Sequence, residues 1–319
     1  MKKTIKYLVI MMTMIVMIVN IYADGHILVF HRFGDERYPS ANITTNNLEE
    51  IISYLNKNKY NVITLEEMIG KISKKEEISK KTICITIDDA FKSFFENGLE
   101  ILKKNKFPFT VFVNTEAVNR NYNDYMSWDQ IKEVSKYGEI GSHSYSHPHL
   151  TKLGNEKAME EIQKSIADIE KNISEKVKYF AYPYGEYNDE IKWMLKSLGM
   201  KGILNQGLGG ISKESDKFDL DRLAISNLAG LKWKLRIKHL QAHWMNIERV
   251  DNYIKNIKVE MDKKNKRVQV YLSGYGWEKA EVKNGVLELN INKELKSFRN
   301  RLIIKTDYNE WSNKLIMKK

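Results

Sequence analysis

The chain has 319 residues, 42% of them hydrophobic and 29% charged, with a formal charge of +11 and a single cysteine. This size and balance suit one large packed domain, or one large domain plus a small one, and exclude a chain disordered throughout. One cysteine, Cys84, excludes an intramolecular disulfide, and there is no internal repeat, low-complexity block or Pro/Gly-rich linker.

In chain order, Lys2, Lys3 and Lys6 precede an apolar run from Tyr7 to Val19, followed by Asn20 and the small Ala23. This has the form of a secretory signal peptide over residues 1–23, cleaved after Ala23. The run is shorter than the roughly 20 residues of a bilayer span, which argues against an uncleaved anchor. The mature chain is therefore expected to be exported, to a periplasm, the cell surface or the medium, with no membrane span. Cleavage removes three Lys and no acids, so +11 becomes +8. That charge suits an anionic surface or polymer, and export argues against nucleic acid as a partner.

Beyond the leader, short β-branched runs alternate with amphipathic stretches. Strands are expected at 27–30, 62–63, 82–87, 109–113, 139–141, 179–182, 202–204 and 222–225. Leu48, Ile51, Ile52 and Leu55 share one helical face, as do Ile162, Ile166, Ile169 and Ile173. Thr64 with Glu67, and Ser127 with Gln130, have capping-box spacing. Gly138 and Gly199 stand where helices should end. Strand–helix alternation over about 200 residues implies a largely parallel sheet with helices outside it, and seven or eight strands favour a barrel. Cys84 reads as a small buried strand residue. Residues 231–257 read as a basic, partly helical connection. From 258 to 319 the pattern becomes strand-like, with a turn at Asn284-Gly285, giving a small β-rich module. Trp277 and Trp311 there read as core aromatics, with a sugar platform as the alternative.

Chemistry concentrates where expected strands end. "ICITIDDA" closes an apolar run with Asp88 and Asp89, and "EIGSHSYSHPH" follows another with His143 and His147. In parallel α/β folds such ends carry the reactive loops. Two imidazoles and one carboxylate form a three-ligand set that leaves positions open for water and substrate. Adjacent acids on an extended chain point to opposite sides. One can ligate while the other serves as general base.

"TIDDA" and "HSYSHP" resemble the first two motifs of the polysaccharide deacetylases, the family-4 carbohydrate esterases with the NodB-homology domain, and "FAYPYGEYN" resembles the third. The likeness covers roughly residues 26–230, within a domain expected over 24–230. It implies a distorted (β/α) barrel, a divalent metal and hydrolysis of the acetamide of N-acetylglucosamine units. It also implies Asp88 as general base, Asp89, His143 and His147 as metal ligands, and the Tyr184 N–H as an oxyanion donor. The metal expected is Zn, with Co or Ni as alternatives. Three positions depart from the family pattern. Ala90 replaces the usual Gly. Ala181 stands where an Arg normally orients the base, and Arg222 is the candidate replacement. No late His provides the general acid, since His239 and His243 in "KHLQAHW" read as helical and remote. The start "ILVFHRFGDERYPSANIT" resembles the branch acting on exported poly-N-acetylglucosamine, in which a His follows the first strand. His31 is therefore the candidate acid, with His26 expected at the opposite rim and His149 beside the site or in solvent.

The expected activity is N-deacetylation of a β-linked N-acetylglucosamine exopolysaccharide, releasing acetate. The alternatives are peptidoglycan, chitin oligomers, a small-amide amidase, or a glycan-binding module without activity. Envelope or export proteins are candidate partners of the C-terminal module.

Overall fold

A computed structural model describes residues 24–318. The expected signal peptide lies outside the described residues. Among the described residues no helix is long and apolar enough to cross a membrane.

Seven parallel strands form the main sheet: β1 (His26–Phe30), β2 (Thr82–Asp88), β3 (Thr110–Val113), β4 (Glu139–Ser142), β5 (Tyr179–Ala181), β6 (Gly202–Leu204) and β7 (Leu223–Ala224). Their order is β7-β1-β2-β3-β4-β5-β6. The short strand Asn61–Val62 pairs with the first residues of β2, below the place where β3 takes over that edge. The sheet curls toward closure. Leu220 exchanges backbone hydrogen bonds with β6, and three residues later β7 pairs with β1, so one segment spans the gap between the sheet edges.

β1 and β2 are buried along their whole length. A strand covered on both faces needs a continuous apolar run, and these sequences supply one. The helices pack outside. α1 (Thr45–Lys57) buries Leu48, Ile51, Ile52 and Leu55. The others are α2 (Leu65–Ser73), α3 (Leu99–Lys104), α4 (Thr115–Asn119), α5 (Trp128–Ser135), α6 (Asn155–Ile173), α7 (Asp189–Ser197) and α8 (Leu228–Lys234). The capping box at Ser127 is complete, whereas Thr64 only accepts from the Glu67 N–H. Cys84 is buried against the Thr64 carbonyl, as a packing residue should be.

The C-terminal region differs from the sequence expectation at its start. Helix ends at Lys234, and strands joined by a turn at 251–252 occupy 242–250 and 253–261, so the helical connection over 231–257 is corrected. β8 (Ala242–Val250) and β9 (Tyr253–Met261) form an antiparallel hairpin extended by β12 (Val286–Glu294). A second sheet runs Lys238–His239, β14 (Glu310–Met317), β13 (Arg299–Thr306), β10 (Arg267–Leu272), β11 (Gly276–Glu281). Ile254, Ile257 and Val259 of one sheet share a core with Val268, Leu302 and Ile304 of the other. The burial of β9 on this face decided its state, since sheet pairing overrides weak helical propensity. His239 and His243 are accordingly strand residues, not helical ones. Trp311 is buried, but Trp277 is 43% exposed and meets it edge-on. Asn284 and Gly285 both have positive φ, as their hairpin turn requires.

Candidate metal centre and active site

β2 delivers Asp88 in extended conformation at its last residue. The chain then turns left-handed at Asp89 (φ 73°) and Ala90 (φ 58°). That turn defeats the alternation of an extended chain, so both carboxylates reach the same imidazole. His143 Nε2 lies 3.8 Å from Asp88 Oδ2 and 3.7 Å from Asp89 Oδ1. His147 Nε2 lies 3.5 Å from Asp89 Oδ1. Ala90 explains why glycine is usual there, because a Cβ makes left-handed backbone costly. Ser144, His147 and Tyr184 also have positive φ. Five non-glycine residues in this conformation line one site, where such strain is held by its surroundings.

The donor atoms of Asp89, His143 and His147 lie within 4.8 Å of one another, and no other such trio occurs among the described residues. Ligands bound at 2.0–2.2 Å to a common ion would stand about 3–3.5 Å apart, slightly closer than the observed spacings. His143 Nδ1 is 2.7 Å from the Ala181 carbonyl, which can only accept, so this nitrogen carries the proton. In the neutral ring Nε2 then presents its lone pair to Asp89. Burial pushes the His143 pKa down to about 3 and that of His147 down as well. Burial pushes Asp89 up to about 6. Electron pairs from three sides meet with no proton between them, and a cation fits that arrangement.

Asp88 is set differently. Its side chain is fully buried, and so is that of Arg222. Arg222 Nη1 donates to Oδ1 at 2.6 Å and Nη2 to Oδ2 at 2.8 Å. Burial alone would raise the Asp88 pKa, but the guanidinium and then His143 outweigh it and hold the carboxyl well below its usual range. Arg222 precedes β7, and the register aligns Leu223 with Leu28 and Leu28 with Ile85. Its side chain therefore rises inside the barrel, past the Asn205 carbonyl and Thr86, to reach the end of β2.

The same register, Phe30 beside Ile87, sets the next pair, His31 and Asp88, at one height. His31 Nε2 is 4.0 Å from Asp88 Oδ2 and the ring is partly exposed. His26 sits at the other end of β1, with Nε2 2.8 Å from the Ile237 carbonyl. His239 donates its backbone N–H to Asp24, the residue two before β1, again at that far end.

Tyr184 occupies a one-turn segment, Pro183–Gly185, after β5. The Gly185 N–H donates to Tyr182 O and the Glu186 N–H to Pro183 O, bracing the turn on both sides of Tyr184. Its ring meets His147 edge-on at 4.5 Å and stacks on His149 at 4.2 Å. His149 Nδ1 is 2.8 Å from the buried Glu186 carboxylate. Sequence reasoning missed Glu186, although an acid inside the apolar "FAYPYGEYN" was a legible signal. It also missed Arg32, which lies between the Tyr38 and Phe91 rings and pairs with Asp35 and Asp124 beside Asp89. The Ala181 carbonyl could not be read at all, since any residue supplies one.

Residues 75–203 match the model of the polysaccharide deacetylase family. A poly-beta-1,6-N-acetyl-D-glucosamine N-deacetylase of Staphylococcus aureus (strain MRSA252) is 28% identical over 215 residues, 63% of this chain and 71% of the relative. A Streptococcus pyogenes deacetylase, PplD, solved with acetate, superposes with a TM-score of 0.62 at 22% identity, over 66% of this chain and 98% of that one. IcaB from Ammonifex degensii gives 0.59 at 23% identity, over 66% and 96%. At these identities the two structures speak for the fold. The family match in sequence gives this chain a polysaccharide deacetylase domain.

Proposed function

We propose that the protein is an exported, metal-dependent N-deacetylase of poly-β-N-acetylglucosamine, with residues 24–230 as its catalytic unit. The observation that carries this reading is the convergence of Asp89, His143 and His147 beside an Asp88 clamped by Arg222. A divalent cation, Zn before Co or Ni, would be held by Asp89, His143 and His147, and would polarise the acetyl carbonyl and acidify a water. Asp88, kept ionised by Arg222, takes the proton of the attacking water. The Tyr184 N–H donates to the oxygen that gains charge, a contribution usually worth about 3–4 kcal/mol. His31 supplies the proton that the departing amine needs as the C–N bond breaks. Acetate and a glucosamine unit result. The polymer substrate is supported by the staphylococcal relative and by side chains that stay open to solvent, 22% for His147 and 24% for His31.

The test is acetate release from a panel of defined glycans, with metal content measured on two variants. Asp89→Ala should lose both metal and activity. Asp88→Asn should keep the metal yet lose roughly 10²–10⁴-fold in turnover. Equal metal loss in both variants would reverse the assigned roles. No acetate from any glycan would remove the activity itself.

A further inference from the structure

The β sandwich follows the deacetylase region in sequence, yet it touches the loop that bears the oxyanion donor. Arg299, the first residue of β13, donates through Nη1 to the Tyr184 carbonyl at 2.8 Å. Its neighbour Phe298 meets the His149 ring edge-on at 5.5 Å, and His149 stacks on Tyr184. Lys152, from the loop after the metal-ligand motif, lies 4.0 Å over the other part of that assembly, the Phe298 ring. The turn is thus gripped by its backbone oxygen on one side and through its ring on the other.

A left-handed tyrosine needs such a grip. Tyr184 has φ 57°, a conformation that a residue with a Cβ adopts only when its surroundings impose it. Gly185, at φ 70°, follows it and packs against Gln206, whose carbonyl accepts from Arg301 of the same β13. The direction of the Tyr184 N–H depends on that backbone conformation, and a donor counts only when it points at the developing charge.

We propose that the C-terminal β sandwich is a positioning element of the active site, with Arg299 and Phe298 as the positioning residues that hold the Tyr184 turn. This rests on the deacetylase reading above. It differs from a plain tether, because docking has other anchors. Lys314 pairs with Asp219 at 2.7 Å and Asn313 donates to Asp221 at 2.9 Å, and neither is a bond to Tyr184. Removing Arg299 leaves those anchors in place, so the sandwich stays docked while the turn is loosened.

The experiment uses the full mature chain with its metal, comparing wild type, Arg299→Ala, Arg299→Lys and the double variant Phe298→Ala/Arg299→Ala. Steady-state acetate release and hydrogen exchange of the peptide spanning 182–188 are read together, with metal content and unfolding midpoint as controls. A misplaced group near the chemistry can cost up to about 10²-fold. For an exposed arginine the expected fall in kcat is about tenfold in the double variant and smaller in Arg299→Ala. KM, metal content and midpoint should be unchanged, exchange at 182–188 faster, and Arg299→Lys partly restored, since an ammonium can still donate to the carbonyl. Unchanged kcat and exchange would overturn the proposal. So would a change confined to KM, which marks substrate contact, or to the midpoint, which marks a tether. Failure of the wild type to release acetate would instead refute the deacetylase reading. The exchange data would then still decide whether Arg299 and Phe298 hold the turn.

Discussion

At the residue scale the two adjacent aspartates have opposite environments. Asp88 is clamped by a guanidinium and kept ionised, while Asp89 has no such partner and faces two imidazoles. The proposed division into base and ligand follows from these environments, as when neighbouring carboxylates take different roles elsewhere. His31 is the third member of this division. It stands 4.0 Å from Asp88 and outside the ligand trio. Replacing it should leave the metal in place and remove only a proton donor. His31→Ala is expected to retain full metal content and a normal unfolding midpoint, with a rate loss of about 10²-fold or more. Metal analysis beside the acetate assay checks this. Loss of metal in His31→Ala would make it a ligand, and an unchanged rate would send the search for the acid to His149.

At the element scale β1 carries two histidines to opposite ends of the barrel. His31 emerges on the rim with Asp88, whereas His26 is buried at the entry, against the Ile237 carbonyl of the connection to the sandwich. Burial pushes the His26 pKa down to about 4. A folded pKa below the unfolded one means that the unfolded chain takes up the proton first. Stability is then fully present above about 6.5 and is lost as pH falls toward 4, with a magnitude on the order of 3 kcal/mol. His26→Gln keeps a donor for Ile237 without the titration. Its stability should fall less than that of the wild type between pH 7 and pH 4.5 in urea unfolding of metal-free protein. Parallel acid slopes for the two proteins would place the sensitivity elsewhere, with His143 the next group to test.

At the scale of the whole molecule the sandwich and the barrel meet through buried polar contacts. Asp219 accepts from Tyr187 Oη at 2.5 Å, Asn205 Nδ2 at 2.6 Å and Lys314 Nζ at 2.7 Å. Asn205 follows β6, and Tyr187 follows the Tyr184 turn, so one carboxylate ties two rim loops to β14. Removing it strands a lysine, a phenol and an amide at once. Breaking a buried pair usually costs about 3–5 kcal/mol. Lys314 keeps 30% of its side chain exposed, so Asp219→Ala should fall at the lower end, near 3 kcal/mol, by equilibrium unfolding. A loss below about 1 kcal/mol would show that water replaces the pair and that the interface is held by other contacts.

The signals legible in the chain were local ones. The strands, the helix faces of α1 and α6 and the cap at Ser127 follow from periodicity and from residues three or four apart. The Asp and His motifs each stand where one strand ends, so both were legible as candidate ligands without knowing the path between them. Arg222 was legible as a cation inside "DLDRLAI", but its bidentate grip on Asp88 joins residues 134 apart. Only barrel closure puts β7 next to β1 and brings that guanidinium under β2. The left-handed turn at Asp89 was hidden, because nothing in "DDA" declares a positive φ without its glycine. Residues 242–257 of the hairpin read as partly helical, since their state depends on β12 and on a core completed by β13. Arg299 reaches Tyr184 across 115 residues. Contacts of that kind arise when two independently patterned units pack, and pairing between distant segments leaves no local trace in either.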